Sequence, residues 1–464
     1  YVLMHCNSTY PTPFKDINLQ YIKKLQQLSN RPAGYSGHER GIHIPVAAVA
    51  LGASVIEKHI TVDKNMQGND HKVSLLPNEF KDMVKLIRQT EEAIEVVGER
   101  QCSPGELINR EALSKSIVAN KDIKKGQRIT RDCLCFKSPG RGLQPNRLRD
   151  VLDKVAKRDI PKGYFLYEND IRDTMKGRDY DIPYKWGLPV RFHDYDFFLN
   201  QSNAKFLEFH LSYKDLSYDI EKLFKNCKYD IDLTVHAPDL FEHDHLIDLS
   251  SDNQEYRTQS VNNLKRVIDI TKKLRPYFSV DSKTKIISSL GGFTRNEWMS
   301  ESDKKQAYKR VAESLKQLTD DETEIIIQTV PPFPWYFGGQ LLLNLFAHPD
   351  EIVSFCKDNN YKICFDTSHS KLFCNHFKYD MYTFVEKVRD YVSHVHVSDA
   401  LDVDKEGLQI GEGDIDFNHL LKTIPLKATI MPEIWQGHKN FGEACWIALN
   451  KIESITKGAI YERH

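Results

Sequence analysis

Short apolar segments alternate with helical patterns through the second half of the chain. Eight such segments follow one another: Val190–Phe192, Phe206–His210, Asp232–His236, Lys285–Ser288, Glu324–Gln328, Lys362–Phe365, His394–Val397 and Ala428–Met431. Strands that alternate with helices build a parallel sheet, and eight such units in about 280 residues have the size of a complete (β/α)8 barrel. The pattern therefore predicts an α/β fold with a complete barrel over residues 185–464.

The start of the chain contains three more units of the same kind. The predicted strands cover Tyr1–Met4, a stretch that begins near Pro32, and Ser54–Ile60, and the predicted helices cover about Asn18–Leu28 and Ile44–Leu51. Three successive strand–helix units predict another parallel sheet. Catalytic residues of β/α barrels gather at the carboxyl ends of the strands, so these ends are where chemistry is expected.

Two histidines lie at these strand ends. His38 follows the second predicted strand, His59 lies near the end of the third, and Asp70 follows in a Gly-Asn-Asp loop. Neutral imidazole is the commonest metal ligand, and two histidines leave coordination positions for water and substrate, which suits a catalytic ion. The alternatives are core histidines satisfied by hydrogen bonds and, for Asp70, an ordinary loop-capping carboxylate.

Longer motifs around these residues resemble a known family of enzymes. They occur in the expected order as His5-Cys6-Asn7-Ser8-Thr9-Tyr10-Pro11-Thr12-Pro13, Gly34-Tyr35-Ser36-Gly37-His38, Ala50 to Thr61, and Gly68-Asn69-Asp70. Through them, residues 1–172 resemble the N-acetylneuraminate (sialic acid) synthase family. Its members condense phosphoenolpyruvate with an N-acylated hexose to make nonulosonic acids.

The resemblance implies a role for each matching residue. His38 and His59 would bind a divalent metal ion, Mn²⁺ or Mg²⁺, and with Asp70 they form the predicted catalytic set. The predicted substrate contacts are Ser8 and Ser36 for phosphoenolpyruvate, and Tyr10 and Asp70 for the sugar. A metal ion can polarise the aldehyde of the open-chain sugar while C3 of phosphoenolpyruvate attacks it; water then adds at C2 and phosphate leaves. Asp70 could orient a sugar hydroxyl or move a proton.

An internal repeat marks a small module after this region. Asp122-Ile123-Lys124-Lys125-Gly126-Gln127-Arg128-Ile129 recurs as Asp159-Ile160-Pro161-Lys162-Gly163-Tyr164-Phe165-Leu166, and each copy predicts strand, turn and strand. Residues 108–172 resemble the antifreeze-like (SAF) domain of the same synthases. The resemblance implies a homodimer in which this domain covers the partner's active site and supplies an arginine from an Arg-Pro-Gly-X-Gly loop. Ser138 takes the arginine position here, so Arg141 becomes the candidate sugar contact, with a solvated arginine as the alternative.

By the same resemblance the chain opens inside the sixth strand of the synthase barrel. Residues 1–105 are therefore expected to be its carboxyl-terminal part, without the first five strands. Those strands supply lysines and an acidic residue in the family. We expect this chain to be a fragment of a longer protein.

The second barrel resembles a different family, the xylose isomerase-like sugar isomerases and epimerases, a group that also includes metal-dependent endonucleases. It follows a charged stretch over 173–184 that is predicted to be a linker. The matching motifs are His236-Ala237-Pro238, Phe365-Asp366-Thr367-Ser368-His369, Val395-His396-Val397-Ser398-Asp399, Gly411-Glu412-Gly413-Asp414-Ile415-Asp416-Phe417 and Pro432-Glu433. The metal ligands implied by this resemblance are Asp366, His369, His396 and Glu433.

One position departs from that family's pattern. The fifth strand normally ends in a glutamate ligand, and here it ends in Gln328. A neutral amide is a weaker ligand for hard cations than a carboxylate, so the metal affinity should fall. Three interpretations stay open: a synthase fused to an active isomerase, a synthase with a sugar-binding barrel, and an isomerase or epimerase whose synthase part serves as a dimerisation scaffold.

The amino-acid composition of the chain limits the kinds of partner that it can bind. A formal net charge of -1 gives no general attraction to nucleic acid, and no apolar run is long enough for a membrane helix. Nine cysteines without zinc-like spacing predict reduced thiols and a cytoplasmic protein. The acceptor sugar is left open between N-acetylmannosamine, its 6-phosphate and a dideoxy diacetamido hexose.

Overall fold

The computed structural model describes residues 1–95, 98–100, 102–225, 227–334 and 341–461. The chain forms two compact units, Tyr1–Gln101 and Cys102–His464. All nine cysteines are free. Among the described helices, none has the length and apolar character needed to cross a bilayer.

The first unit is a small parallel sheet with helices. Its strands pair in the order β1-β2-β3, and α2 packs against α3. Its elements are β1 (Leu3–Cys6), α1 (Tyr21–Ser29), β2 (Ala33–Gly37), α2 (His43–Ala50), β3 (Val55–Lys58) and α3 (Pro77–Ile94). Ile22, Ala33 and Ala48 are fully buried at the centre of its core. The predicted parallel sheet is confirmed, although β3 ends one residue before His59 rather than at Ile60.

The second unit begins with the module that carries the internal repeat. Its elements are α4 (Pro104–Leu113), β4 (Ser116–Ala119), β5 (Leu134–Lys137) and α5 (Leu148–Val151). The two copies of the repeat face each other: Asp122 accepts a hydrogen bond from the backbone N–H of Lys162 (2.7 Å), and Asp159 accepts one from that of Lys125 (2.8 Å). Each copy turns at a glycine with positive φ and forms single bridges instead of the predicted full strands. The Asp–backbone contacts add to the backbone hydrogen bonds that Ile123 and Ile160 exchange at 2.9 and 2.8 Å.

The rest of the second unit is the predicted barrel. In the described residues its strands close in the order β6-β7-β8-β11-β13-β15-β16-β19, and β19 pairs with β6. The elements from here to the end of the described chain are β6 (Lys185–Val190), α6 (Tyr195–Leu199), β7 (Phe206–His210), α7 (Ile220–Phe224), β8 (Asp232–His236), β9 (Leu240–Phe241), β10 (His245–Leu246), α8 (Gln254–Leu274), β11 (Thr284–Ser288), β12 (Phe293–Thr294), α9 (Glu301–Leu315), β13 (Thr323–Gln328), β14 (Leu342–Leu343), α10 (Pro349–Asn359), β15 (Ile363–Asp366), α11 (Thr367–Phe377), α12 (Met381–Val388), β16 (Val392–Val397), β17 (Asp399–Leu401), β18 (Lys405–Leu408), α13 (Phe417–Thr423), β19 (Thr429–Pro432) and α14 (Lys439–Tyr461).

The predicted barrel strands agree closely with the observed ones. The second and third have the predicted bounds, while the first begins at Lys185, five residues before Val190. The predicted first strand, Val190–Phe192, is therefore wrong except at Val190; Phe192 follows the strand, and Pro189 lies inside it, paired with Glu208 of β7. The predicted linker packs against α14: Tyr180 is 2% exposed and lies parallel to Trp446.

Two candidate metal centres

The first centre lies at the carboxyl ends of β2 and β3. His38 and His59 directly follow these strands, and their ring centroids are 5.0 Å apart. Tyr10 stacks on His38 with centroids 4.2 Å apart, and Asp70 Oδ1 lies 3.8 Å from His59 Nδ1. The structure therefore brings together four residues that the sequence reading selected.

A buried ion pair beside the histidines holds the two strand ends together. Lys58 Nζ lies 2.8 Å from Glu39 Oε1, and both side chains are fully buried. The Tyr35 hydroxyl donates to the other carboxylate oxygen of Glu39 at 2.5 Å. A buried charge is tolerated when it is paired and hydrogen-bonded, so this cluster fixes the residues that adjoin His38 and His59. Sequence reasoning missed it, although a charged residue beside each histidine was the available signal.

The tautomer of His38 follows from its contacts. Its Nδ1 lies 2.7 Å from the backbone carbonyl of Asn7. A carbonyl only accepts hydrogen bonds, so Nδ1 carries the proton and Nε2 is left with a lone pair. This is the arrangement that metal-binding histidines commonly have. The His38 ring therefore fits a divalent cation.

The two predicted phosphoenolpyruvate contacts differ in their surroundings. Ser36 is buried at the end of β2, and its hydroxyl donates to Glu57 Oε1 at 2.7 Å. Ser8 is exposed in the loop after β1. The substrate contacts of both residues stay predictions.

The second centre lies at the carboxyl ends of the barrel strands, in a cavity of about 460 Å³. Asp366, His369 and Glu433 line it, and their role as metal ligands stays a prediction. His396 is fully buried directly behind Glu433, with Nδ1 2.6 Å from Glu433 Oε2. Four further polar residues also line this cavity: His210, His236, Gln328 and Glu406. Of these, His210 and Glu406 were not singled out in the sequence. The strand ends supplied the signal for three of the four, because His210, His236 and Gln328 each end a barrel strand.

Three side chains converge as a candidate ligand set. One ligand atom each from His236, His396 and Glu433 lies within 4.8 Å of the others. Asp366 Oδ2 is 3.7 Å from His396 Nδ1, whereas His369 lies to one side, with its Nδ1 donating to the carbonyl of Thr329 at 2.9 Å. The observed set therefore includes His236, which the sequence reading did not propose as a ligand.

Gln328 provides a test of whether a cation fits. His236 Nδ1 is 2.8 Å from the carbonyl of Ala237 and must donate to it, so neutral His236 has a lone pair on Nε2. That Nε2 lies 3.2 Å from Gln328 Oε1, another acceptor. Exchanging the amide atoms would instead turn an acceptor toward Asp366 Oδ2, at 3.2 Å. A cation among these acceptors removes the conflict in either orientation, so the residues present fit a divalent metal ion.

Glu208 lies beneath the cavity among three histidines. Its Oε1 is 3.0 Å from both His396 Nε2 and His210 Nε2, and its Oε2 is 2.9 Å from His394 Nε2. Burial acts to raise the pKa of this carboxyl group. His396 and His394 on β16 outweigh burial and hold the pKa well below its usual value. Glu208 thus stays ionised and directs the Nδ1 of His396 toward Glu433.

The charges around His396 set its protonation. Burial disfavours the imidazolium form, but Cys364, Glu433 and Glu208 outweigh it and raise the pKa of this ring well above its usual value. By contrast, burial lowers the pKa of His394 to about 4. The two histidines of β16 therefore differ in basicity, and His396 has a lone pair for a cation only in its neutral form.

Glu406 is a candidate for proton transfer. Burial raises its pKa to about 7, and its Oε2 lies 3.6 Å from His369 Nε2. A carboxyl group that titrates near neutrality can both give and accept a proton, as general acid–base catalysis requires. Pro334, the last described residue before the 335–340 gap, also lines this cavity.

Comparison with known proteins follows the same division of the chain. The family model of the xylose isomerase-like TIM barrel matches residues 198–448. The chain belongs to the xylose isomerase-like TIM barrel family. Ahead of this xylose isomerase-like barrel, residues 1–99 match the NeuB family and residues 114–172 match the SAF domain.

Relatives of the part before the xylose isomerase-like barrel are named synthases. N,N'-diacetyllegionaminic acid synthase from Campylobacter jejuni is 43% identical over 166 residues, which cover 36% of this chain and 49% of that protein. N-acetylneuraminate-9-phosphate synthase from Homo sapiens is 41% identical over 160 residues, which cover 34% of this chain and 44% of that protein. The chain spans about half the length of the curated relatives that it matches.

Solved structures match the xylose isomerase-like barrel more weakly. A D-tagatose 3-epimerase-like protein has a TM-score of 0.43 and 21% identity, over 60% of this chain and 99% of that one. The synthase-like and xylose isomerase-like parts are thus fused in one polypeptide, as the sequence motifs predicted.

Proposed function

We propose that the protein containing this chain is a nonulosonic acid synthase, which condenses phosphoenolpyruvate with an N-acetylmannosamine-like sugar in a reaction that needs Mn²⁺ or Mg²⁺. The pairing of His38 and His59 at adjacent strand ends, with Nδ1 of His38 held by a carbonyl, carries this proposal. The names of the relatives, a diacetyllegionaminic acid synthase and a neuraminate-9-phosphate synthase, support a sugar acid as the product class.

Each residue of the first centre has a role in this proposal. His38 and His59 hold the metal ion, which when bound polarises the sugar aldehyde. Tyr10 stacks on His38 and faces the acceptor, while Asp70 orients a sugar hydroxyl or moves a proton. Ser8 and Ser36 bind phosphoenolpyruvate. The synthase resemblance also supports a contact between Arg141 and the acceptor sugar.

Phosphate release from phosphoenolpyruvate tests the synthase. We would measure it with the complete gene product, Mn²⁺ and a panel of N-acylated hexoses. Loss of a metal ligand removes several kcal/mol of transition-state stabilisation, so His38→Ala and His59→Ala should each lower the rate by roughly a thousandfold. Glu433→Ala is the matched control, since it lies in the other unit and should leave release unchanged. Release that survives both histidine substitutions would contradict the proposal.

We also propose that the barrel is a sugar isomerase or epimerase with its own divalent ion. The convergence of His236, His396 and Glu433 near Asp366, with Glu406 available as an acid or base, supports this second function. A bound ion would polarise a sugar carbonyl while Glu406 moves a proton beside it. If the first centre proves inactive, the synthase-like part is a dimerisation scaffold for this activity.

Metal content tests the barrel separately from the first centre. The chain carrying both His38→Ala and His59→Ala retains only the barrel site, and we expect about one Mn, Co or Zn ion per chain after dialysis. Adding Glu433→Ala should remove that ion. If the variant with both histidine substitutions binds no metal ion, the barrel is a sugar-binding module instead of an isomerase.

Assembly and location complete the proposal. The synthase resemblance supports a homodimer, which analytical ultracentrifugation would test. The nine free thiols support a reducing compartment, such as the cytoplasm.

A further inference from the structure

A second cavity, of about 1060 Å³, lies beside the barrel site. Its wall combines Arg141 from the SAF module with residues of the loops that follow β6 and β7. Four permanently or usually charged cations line it: Arg141, Arg191, Lys222 and Lys225. His193 adds a fifth basic group.

The carboxylates in this cavity are already engaged with backbone groups. Asp215 accepts hydrogen bonds from the backbone N–H of Ser212 (2.7 Å) and from its hydroxyl (2.8 Å). Asp219 caps α7 by accepting from the N–H of Lys222 at 3.1 Å. Neither carboxylate forms an ion pair with a cation of the cavity in the part of the chain that the structure describes.

The four cations are likewise free of carboxylate partners among the described residues. Arg191 instead donates through Nη1 to the carbonyl of His210, the residue that ends β7 at the barrel site. Unpaired cations that converge on one open cavity create a positive potential, which attracts anions. The cavity therefore has the electrostatic character of an anion site.

The neighbouring barrel cavity has the opposite character. Its charged lining consists of one arginine, Arg191, and six carboxylates: Glu111, Asp194, Asp239, Asp366, Glu406 and Glu433. Arg191 lines both cavities, so it marks the point where they adjoin. A ligand that spans them would place a neutral or cation-bound part among the carboxylates and an anionic part among the cations.

We infer that the second cavity binds the phosphate group of a phosphorylated sugar whose sugar ring occupies the barrel site. This inference rests on the proposed isomerase or epimerase function and names its substrate class. Arginine binds phosphate through a planar fork of N–H donors, and Arg141 and Arg191 supply two such forks, with Lys222 as an additional point charge.

The phosphate can be a terminal monoester or part of a diphosphate link to a nucleoside. Both sources share the phosphate chemistry that the cations recognise. The aromatic rings of Phe192 and Tyr218 lie 5.4 Å apart in the same lining, which gives a diphosphate ligand an aromatic surface next to the cations. Binding of a sugar monophosphate and of inorganic pyrophosphate separates the two sources.

The inference also gives the SAF module a role for the barrel of its own chain. Arg141 comes from the loop in which Ser138 takes the position of the arginine expected from the synthase resemblance. Glu111 of α4 lies 2.6 Å from Lys439 Nζ and also accepts from Gln436, just beyond Glu433. The module is therefore anchored at the barrel mouth, with Arg141 aimed at the second cavity.

Calorimetric titration of the complete gene product carrying His38→Ala and His59→Ala tests this, because the first centre is itself proposed to bind N-acylated sugars. The probes are N-acetylmannosamine 6-phosphate, inorganic pyrophosphate and neutral N-acetylmannosamine. We expect Arg141→Ala and Lys222→Ala each to weaken binding of the better phosphate probe at least fivefold, and Arg141→Lys to restore part of it. Both side chains are exposed, so their loss should not affect folding.

The matched control is Arg149→Ala, which removes the same charge from an exposed position of the SAF module that does not line the cavity. An equal loss in this control, or phosphate probes that bind no better than the neutral sugar, would overturn the inference. The outcomes also separate it from the proposed function. Metal binding or turnover of the neutral sugar without any effect of Arg141→Ala leaves the isomerase standing and removes the phosphate site. Specific phosphate binding by a barrel that holds no metal ion and shows no turnover would keep the phosphate site and remove the isomerase function.

Discussion

The two candidate metal centres use the same residue types at the ends of parallel strands, yet they differ in enclosure. In the first unit, Tyr10 is 38% exposed and the Asp70 side chain is 66% exposed. In the barrel, Glu208 and His396 are completely buried. Each strand of the barrel has a neighbour on both sides, so its lumen-facing groups meet one another instead of water.

Burial changes how strongly each charge interacts with its neighbours. An exposed carboxylate interacts with a histidine through water, and the interaction is screened. A buried carboxylate must be balanced by its neighbours, and Glu208 is balanced by three histidines. The comparison predicts that removing the buried Glu208 changes stability as well as function, whereas removing the exposed Asp70 changes function alone.

The largest contrast is expected from removing one carboxylate at each centre. Glu208→Ala leaves the buried His396 without a counter-charge and should destabilise the barrel by about 3–5 kcal/mol. Asp70→Ala should change stability by less than about 0.5 kcal/mol. Urea unfolding followed by tryptophan fluorescence measures the first, since all five tryptophans of the sequence lie beyond residue 185. Circular dichroism measures the second. Equal stability losses would refute the contrast.

Gln328→Glu should sharpen the comparison by adding a charge to the enclosed centre. A carboxylate at the end of β13 completes an oxygen-rich ligand set, so the barrel should bind Mn²⁺ roughly tenfold more tightly. Competition with a metal indicator, in the background of His38→Ala and His59→Ala, measures this affinity. Gln328→Asn, which stays neutral, is the control. Unchanged affinity in the glutamate variant would mean that the ion does not reach this strand.

Tyr10 tests the open centre in the same way. Its ring stacks on His38, and such contacts contribute about 0.5–1.5 kcal/mol. Tyr10→Leu should therefore slow phosphate release by roughly two- to tenfold. Tyr10→Phe keeps the ring and should alter only the KM for the sugar, through the lost hydroxyl. A full loss of activity in the phenylalanine variant would make the hydroxyl part of the chemistry instead.

The smallest effect is expected at the segment that joins the SAF module to the barrel. The hydrogen bond from Arg178 lowers the pKa of Glu453 from 4.5 to about 2. Because the folded-state value is the lower one, the pair stabilises the fold fully above about pH 5, and this contribution is lost as the pH falls through 4.5 toward 2. Arg178 is half exposed, so we expect about 1 kcal/mol.

Comparing wild type with Glu453→Gln at pH 7 and pH 3 by urea unfolding measures this contribution. The difference between the two proteins should shrink at pH 3. A difference that persists there would show that Glu453 acts through packing rather than charge.

Much of the fold could be predicted because it depends on local patterns. The second and third barrel strands, Phe206–His210 and Asp232–His236, have the bounds read from their alternation with helices. Residues at strand ends could also be placed, since parallel strands bring these ends to one edge. His38 and His59 are therefore neighbours in the structure, as are Asp366 and His396.

Local periodicity predicts the parallel sheets and the strand ends that carry the histidines, and the family motifs predict the order of the modules. Long-range packing sets which charges meet. Glu208 lies 188 positions from His396, and Arg141 shares a cavity with Lys222 of another module. Contacts of this kind depend on how the barrel closes and on how the SAF module docks, and no local spacing records either.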